Sequence, residues 1–496
     1  MAIAEEAGAI AGGAAAGETA GGLRPPASVK FFYSVGQTVE SGYIAVNGFI
    51  FFYYTAVLGL SGSMVGLAVA ISMCVDAALD PIIGSWSDGV RSKYGRRLPL
   101  MLIGAPMTMI TMGLLLAPPA ALSPFLLFVW LTVMKGAFRA FASVYNIPYF
   151  ALGGEMSDDY NERSKIVAWR LLGGIVATVA ITWIAFTYFF PGKGGLQKPE
   201  PYPQFGWSIG ALVFVCAMIA TVGVWRYAKA LPQPQAKAAP MTHRLLPEMI
   251  EVFRNPSFRI LFLSMLVFAS AAGAHNALNF HNYVFVWKLQ PEMIQFMTYS
   301  ALAGLTVGVP VAAALLRAFE KKTVVAMGFS LLVLGWVALP VIRAAGLYAP
   351  AGLDALPALI ATQLVVGLGL GLAYIAYPSM MADAAEEHEL MFGARREGLY
   401  FSGLGFAGKA AAGVGTMVGG FAIDLLRFPK SAGRSPDAVV DESVLQGLVI
   451  AWGPFSAALV VLGALIFAPY AISRARHGEI ITELRRRRLR EAAAAT

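Results

Sequence analysis

Twelve apolar stretches, each long enough to cross a lipid bilayer, divide the 496-residue sequence. A transmembrane α-helix needs about 20 predominantly apolar residues because the hydrocarbon layer is ~30 Å thick. Only 13% of the residues are charged, whereas a soluble domain carries about 25%. The sequence therefore excludes a soluble globular domain and predicts an all-α membrane protein. The stretches begin near positions 30, 63, 98, 123, 165, 207, 257, 292, 323, 354, 397 and 447.

The distribution of basic residues predicts how these helices are oriented. Most of the 37 Lys and Arg residues fall in the two tails and in the loops that follow even-numbered helices. Because cytoplasmic loops are enriched in Lys and Arg, we expect both termini in the cytoplasm and the chain in the inner (plasma) membrane. Topology thus accounts for the net charge of +8, and no nucleic-acid partner is expected. The basic run at 485–488 can act as a topology anchor or bind anionic membrane lipid.

The longest predicted cytoplasmic connection divides the chain into two pseudo-symmetric six-helix bundles. Two such halves permit alternating access, in which one half rocks against the other, and a monomer suffices for this. The linker contains a predicted interfacial helix with one apolar face, formed by Leu246, Met249, Ile250 and Phe253. The expected divisions are a disordered cytoplasmic tail at 1–28, bundles at 29–231 and 257–472, the linker at 232–256 and a basic cytoplasmic tail at 473–496.

Two carboxylates lie inside the second predicted helix. Asp76 and Asp80 are four residues apart, so both side chains project from one helix face at bilayer depth. Each charge there costs at least ~2.5 kcal/mol unless it is paired or solvated. Such a pair can carry a proton or bind a small cation, as a coupled transporter requires. Alternatively, Lys135, Arg139 or Lys409 neutralises the pair permanently.

A long motif continues from this pair to the cytoplasmic end of the helix and the following turn. Gly84 allows a close helix contact, and Asp88 can cap or pair with a neighbouring helix end. The basic turn holds this end on the cytoplasmic side. Together these residues can latch one conformational state. The latch candidates are Gly84, Asp88, Arg91, Gly95, Arg96 and Arg97.

At these residues the sequence resembles the glycoside-pentoside-hexuronide:cation symporters, the melibiose-permease-like branch of the major facilitator superfamily. That family has Asp-x-x-x-Asp-Pro-x-x-Gly in helix two, followed by an Asp and a basic Gly-Arg turn. The resemblance spans roughly 30–472 and implies a twelve-helix major facilitator fold with cation-coupled sugar transport. A second set matches the spacings of the family's charged loop between helices ten and eleven and adds latch candidates: Asp383, Glu386, Glu389, Arg395 and Glu397.

The resemblance also implies that the aspartate pair binds the coupling cation. In the family an Asn usually precedes the second Asp, whereas this chain has Leu79, which removes one oxygen from any Na⁺ shell. We therefore place H⁺ ahead of Na⁺ as the coupling ion. Lys409 matches a family lysine that faces the cation site, and it can exchange partners between carboxylates or act as a fixed counter-ion. The predicted cation site consists of Asp76, Asp80, Ser143 and Lys409.

The predicted substrate site departs from the family pattern. The family's two sugar-binding carboxylates align with Glu40 and Asn146, so one carboxylate is kept and the other is replaced by an amide. Lys135 and Arg139 share one face of helix four with Asn146. A guanidinium there favours a uronate or another acidic glycoside, although both cations can instead merely neutralise nearby acids. The further substrate candidates are Arg170, which matches a family arginine, Asn276 in a polar seventh helix, and Tyr377, an aromatic that can stack on a sugar.

Other classes of protein fit the sequence less well. A membrane-embedded enzyme would need a motif such as His-Glu-x-x-His or Gly-x-Ser-x-Gly, and the sequence has none. A lysolipid or other amphiphile transporter of the same fold stays open as an alternative because the sugar-binding pattern is incomplete. Cys74 and Cys216 lie in apolar stretches and suggest neither a metal site nor a disulfide. The sequence thus predicts an H⁺- or Na⁺-driven importer of a sugar or glycoside, without a cofactor.

Overall fold

The computed structural model describes residues 24–231, 245–394, 396–430, 432–434 and 439–495. Most of the predicted N-terminal tail, the Pro-rich part of the linker and Arg395 lie outside the described residues. The first half contains α1 (Ala27–Val35 and Thr38–Phe52), α2 (Gly62–Gly89), α3 (Leu98–Leu116), α4 (Pro124–Glu155), α5 (Tyr160–Ile184) and α6 (Pro201–Ala230). The second half contains α7 (Pro256–His281), α8 (Pro291–Ala318), α9 (Lys321–Ala344), α10 (Leu356–Phe392), α11 (Glu397–Leu425) and α12 (Glu442–Ile450 and Ser456–Phe467).

The predicted all-α membrane architecture is confirmed. Within the described residues, eleven helices are long and apolar enough to cross a membrane as single segments. The remaining one, α1, is interrupted at Gly36 and Gln37 and resumes at Thr38. A π-helical turn extends α1 at Tyr53–Val57, and an equivalent turn extends α7 at Asn282–Val286. These turns occupy the same position in the first helix of each half, which indicates that the two halves are structural repeats.

Helix packing repeats in the two halves. In the first half α1 packs against α5 and α6, α3 against α4 and α6, and α2 against α4. In the second half α7 packs against α11 and α12, α9 against α10 and α12, and α8 against α10. Adding six to each helix number of the first set gives the second set. This correspondence is the pseudo-symmetry expected of two related six-helix bundles.

The halves meet mainly at one end of the bundle. We call the end at which α1 begins and α12 ends the near end, and the opposite end the far end. From the far end, α2 runs along α11, so closely that a Cβ added to Gly420 would lie 2.1 Å from the carbonyl oxygen of Gly62. Towards the near end of α11, a Cβ on Gly405 or Gly408 would meet no atom within 4 Å. Among the described residues, α2 and α11 are therefore in close contact at the far end and apart at the near end, and we call these ends closed and open.

Two additional helices cover the near end of the second half. The linker helix (Leu245–Arg254) buries Val252 and leaves Met249 and Ile250 about half exposed, so its predicted interfacial position remains a prediction. The C-terminal helix (Arg474–Ala495) packs Ile480 and Leu484 into the second half. The docked part of the basic tail is therefore an ordered helix of the second half.

Gly420→Ala is expected to destabilise the protein because the added methyl group would collide with the backbone of α2. Overpacking of this kind costs about 1–3 kcal/mol. The thermal unfolding midpoint in detergent should therefore fall. Gly405→Ala, in the same helix, is the matched control and should leave the midpoint unchanged or slightly raised, since alanine favours a helix over glycine. Equal midpoints for both variants would contradict the close approach of α2 and α11.

Candidate functional site

Asp76 is the centre of a buried ionic network in the middle of the bundle. Its side chain is only 3% exposed, and its Oδ1 accepts a hydrogen bond of 3.0 Å from the Ser143 hydroxyl on α4. Its Oδ2 lies 2.8 Å from Nε of Arg139, which also projects from α4. These contacts place the predicted cation-site residue Ser143 beside Asp76. They also show that Arg139 neutralises Asp76 in this conformation.

Lys409 on α11 connects the two halves at this network. Its Nζ lies 3.0 Å from Oδ2 of Asp76 and also binds Oδ2 of Asp80. Asp80 is about one quarter exposed, and its buried Oδ1 has no hydrogen-bond partner among the described residues. The structure thus assembles the four predicted cation-site residues, and a lysine of the second half bridges two carboxylates of the first.

Glu40 and Asn146 extend the network towards α1. Oε2 of Glu40 accepts a hydrogen bond of 2.6 Å from the amide nitrogen of Asn146 and lies 3.6 Å from Nη1 of Arg139. The side-chain oxygen of Asn146 is buried without a hydrogen-bond partner in the described part of the chain. Arg139 therefore connects the predicted substrate residues to the cation site. We call the group Glu40, Asp76, Asp80, Lys135, Arg139 and Lys409 the central charge network.

Lys135 is held in this network by a hydrogen bond to an amide and by an aromatic ring. Its side chain is 1% exposed and donates a hydrogen bond to Oδ1 of Asn47. Its Nζ lies 5.8 Å from the ring centre of Tyr43, and the guanidinium of Arg139 lies 4.5 Å from the same ring. Sequence reasoning missed Tyr43 and Asn47, although they stand at i+3 and i+7 from Glu40 on one helix face.

Three predicted substrate residues make their recorded contacts elsewhere. Arg170 stacks on the ring of Phe150 at 4.8 Å, and Asn276 accepts a hydrogen bond of 3.1 Å from Asn279. Tyr377 is buried in the second half, where its hydroxyl donates to the carbonyl oxygen of Leu261 at 2.6 Å. None of these contacts joins them to the central charge network, so their role in substrate binding remains a prediction.

The first latch motif forms an ion-paired group at the near end of the first half. Arg97 lies 2.7 Å from Asp88 and 2.6 Å from Glu155, and Arg96 also pairs with Glu155. Gly95 has a φ of +97°, a left-handed conformation that allows the turn between α2 and α3. Glu155 was missed by the sequence analysis because it lies at the end of α4, far from the motif in the chain. Of the other candidates, Gly84 faces Ile147 and Arg91 is exposed.

Asp383 and Glu386, from the second latch motif, bind partners inside the second half. Both oxygens of Asp383 accept hydrogen bonds from Nζ of Lys321, at 2.6 and 2.8 Å. His477 of the C-terminal helix lies 2.7 Å from Glu386 and 3.5 Å from Asp383. Lys321 and His477 were missed because sequence spacing does not show that α9 and the C-terminal helix approach this motif.

Glu389 connects the same motif to the basic run of the C-terminal helix. Its carboxylate lies 2.7 Å from Nη2 of Arg488, and this hydrogen bond and charge raise the pKa of the arginine above its ordinary value. Glu397 begins α11, and Arg395 lies outside the described residues. The ion pairs described for the first motif thus join residues of the first half, and those described for the second motif join residues of the second half. This is expected when the near end is open.

Comparison with known proteins agrees with this architecture. The chain is 25% identical to the putative glycoside/cation symporter YagG of Escherichia coli (strain K12), over 83% of this chain and 85% of that protein. It is 21% identical to the glucuronide carrier protein homolog of the same strain, over 92% and 95% of the two chains. The crystal structure of a D-xylose-proton symporter shares the fold with a TM-score of 0.62 at 11% identity, covering 90% and 98%.

The family match and the membrane helices define a multi-pass membrane transporter, and the prediction that the protein is not an enzyme is confirmed. Residues 33–474 match the family of MFS/sugar transport proteins. The chain belongs to this family, as its resemblance to the cation symporters of the major facilitator superfamily predicted.

The pairing of Asp76 with Arg139 can be tested by a double-mutant cycle. Asp76→Leu alone leaves a buried guanidinium without its nearest carboxylate, which should lower the free energy of unfolding by about 3 kcal/mol. Arg139→Leu should have a similar effect, and the double variant should be more stable than the sum of the two losses predicts. Unfolding of the four proteins in detergent gives the stability losses to be compared.

An exposed ion pair provides the control. Asp158→Leu removes one member of the exposed Arg163–Asp158 pair and should have no measurable effect. Strict additivity would contradict a direct interaction.

Proposed function

We propose that the protein is a proton-coupled symporter that imports an acidic glycoside by alternating access. The observation that carries this proposal is the position of Lys409, which comes from the second half and binds both carboxylates of α2 in the first half. Through Arg139 the same network reaches Glu40 and Asn146. A change in charge at the aspartate pair would therefore alter two sets of interactions. It would weaken or strengthen the contact that Lys409 makes between the halves, and through Arg139 it would act on the proposed substrate residues.

The lysine also supports a proton rather than Na⁺ as the coupling ion. The Lys409 ammonium occupies the space between Asp76 and Asp80, so a Na⁺ ion would have to displace it to bind both carboxylates. Leu79 offers no oxygen ligand, and it packs in an apolar cluster with Ile83. A proton needs no coordination shell. Protonation of Asp80 would cancel its charge, weaken its hold on Lys409 and loosen the contact between α2 and α11.

The charge balance of the network supports an acidic substrate. Counted as formal charges, Glu40, Asp76 and Asp80 contribute three negative charges, and Lys135, Arg139 and Lys409 contribute three positive charges. Binding of one proton leaves a net charge of +1, which is costly at bilayer depth. One monoanionic substrate would restore neutrality. The name of one relative, the glucuronide carrier protein homolog, points to a substrate class of this charge. A guanidinium such as Arg139 binds carboxylates well.

The proposal includes an orientation of the protein in the membrane, with both termini in the cytoplasm. The concentration of Lys and Arg in the tails and even-numbered loops supports cytoplasmic termini. The near end would then face the cytoplasm, and the structure would be an inward-open conformation in the inner membrane. In this state substrate and proton would leave the central charge network towards the cytoplasm.

Asp80→Asn should abolish uphill accumulation but spare exchange of labelled substrate, because the amide cannot take up and release the coupling proton. Proteoliposomes with an inward proton gradient, and separately an inward Na⁺ gradient, provide the measurement with a glucuronide as substrate. Asp158→Asn, an exposed control, should accumulate substrate like the parent protein. Accumulation by the parent that follows only the Na⁺ gradient would overturn proton coupling. Full accumulation by Asp80→Asn would remove Asp80 from the coupling site.

Arg139→Gln should weaken binding of a methyl glucuronide by about tenfold to a hundredfold, the loss expected for charge-assisted hydrogen bonds. Binding of the neutral methyl glucoside should change much less. Arg139→Lys keeps the charge but not the bidentate geometry and should fall between the parent and Arg139→Gln. Binding titrations in detergent provide the affinities. Unchanged affinity for the glucuronide in Arg139→Gln would contradict an anionic substrate held by this arginine.

The charge balance gives the same proposal an independent measurement. Symport of one proton with one monoanion moves no net charge, so a membrane potential imposed with valinomycin should not alter the initial uptake rate. A neutral sugar carried with one proton would move one positive charge, and its uptake would depend on the potential. Potential-dependent uptake of the glucuronide would therefore contradict a one-to-one stoichiometry.

A further inference from the structure

A carboxylate of the second half binds the first turn of α2 at the far end. Oδ1 of Asp424, near the end of α11, accepts the backbone N–H of Gly62, and its Oδ2 accepts that of Ser63, both at 2.8 Å. The first N–H groups of a helix have no partner within the helix and carry partial positive charge. Asp424 therefore makes two charge-assisted hydrogen bonds between the halves.

This contact is more than ordinary helix capping. α2 has its own N-cap, because the Ser61 hydroxyl accepts the N–H of Met64 at 3.4 Å. Asp424 binds two other N–H groups from a helix that belongs to the other half. A cap supplied by the same chain segment would persist in any conformation. A cap supplied across the interface must break when the two halves separate.

A second carboxylate of the second half also binds backbone N–H of the first half, at the other interface between the halves. Oε1 of Glu292, in the first turn of α8, accepts the N–H of Gly192 in the loop between α5 and α6 at 2.6 Å. The pseudo-symmetry relates the α2–α11 interface to the α8–α5 interface. The symmetry does not generate the second contact from the first, because both carboxylates belong to the second half and both sets of N–H groups belong to the first. Gly192 has a φ of +72°, which a glycine adopts without strain.

Other polar contacts surround these two carboxylates. The Thr55 hydroxyl lies 3.1 Å from Nε2 of His281, and the Gln197 amide donates to the carbonyl oxygen of Ala432 at 3.0 Å. Both contacts join the first half to the second at the far end. The far-end closure therefore contains polar groups that can bind water on opening, and Asp424 and Glu292 are two charged groups within it.

We propose that Asp424 and Glu292 form a carboxylate clamp that holds the far end closed and must release in every transport cycle. Alternating access requires the far end to open, and the N–H groups of Gly62, Ser63 and Gly192 then exchange the carboxylates for water. Each carboxylate is hydrated as it leaves, so opening does not strand a buried charge. The clamp sets the equilibrium between the two conformations without contacting substrate or coupling ion.

Distance measurements between spin labels test the clamp. The labels replace Lys198 in the first half and Lys430 in the second, both exposed at the far end, in a variant whose two cysteines are changed to serine. The parent should show one dominant short distance. Asp424→Leu and Glu292→Leu should each raise the population of a longer distance by about tenfold, the effect expected for losing hydrogen bonds to a charged group. Asp424→Asn, which keeps the shape but loses the charge, should fall between them and the parent.

A carboxylate that does not cross the interface provides the control. Asp441 precedes α12 at the same end, is exposed and makes no side-chain capping hydrogen bond. Asp441→Asn should give the distance distribution of the parent. If the leucine variants fail to fold, Asp424→Asn and Glu292→Gln carry the test, with the same direction of change. Distributions identical to the parent in both the Asp424 and Glu292 variants would overturn the clamp. Since no substrate or ion gradient is present, this result would leave proton coupling untouched.

Discussion

The requirement that buried charge be neutralised inside a membrane governs the centre of this protein. Asp76, Arg139 and Lys409 lie between helices that face hydrocarbon on their outer sides, where an unpaired charge is costly. The structure meets this requirement by sharing partners, so that Arg139 serves two acids and Lys409 serves two aspartates. A change of one charge therefore requires a rearrangement of its neighbours. In the proposed mechanism, this property would convert binding of a proton into movement of the two halves.

The pseudo-symmetry of the two halves determines which helices meet at the interfaces between them. α2 against α11 and α5 against α8 are symmetry-related interfaces, and a carboxylate contact joins the halves at the far end of each. At the α2–α11 interface, close backbone packing adds to this contact. At the near end, the recorded ion pairs of the latch motifs stay inside their own halves. The central charge network lies between these two regions. A release of Lys409 would thus act on the interface that the Asp424 contact also holds.

Much of the central charge network could be predicted from the sequence, because each helix contributes residues at helical spacing. Asp76 and Asp80 share a face, as do Lys135, Arg139 and Asn146 with Ser143 close by, and the family resemblance added the roles of Glu40 and Lys409. Partners that come from distant segments could not be predicted in this way. Tyr43 and Asn47 required the pairing of α1 with α4, and Glu155 required the end of α4 to meet the α2–α3 turn. No sequence motif could have indicated the roles of Asp424 and Glu292. Their partners are backbone N–H groups, which every residue except proline carries.

The sequence by itself determined that the chain forms twelve membrane helices in two halves, because hydropathy and helical period depend only on local residues. It also determined which charges lie at bilayer depth. Only the tertiary structure decided which of these charges pair, that Lys409 bridges two carboxylates, and that Arg170, Asn276 and Tyr377 make their recorded contacts elsewhere. It also decided which end of the bundle is closed. These outcomes depend on how helices far apart in the chain approach one another, and local spacing carries no information about that approach.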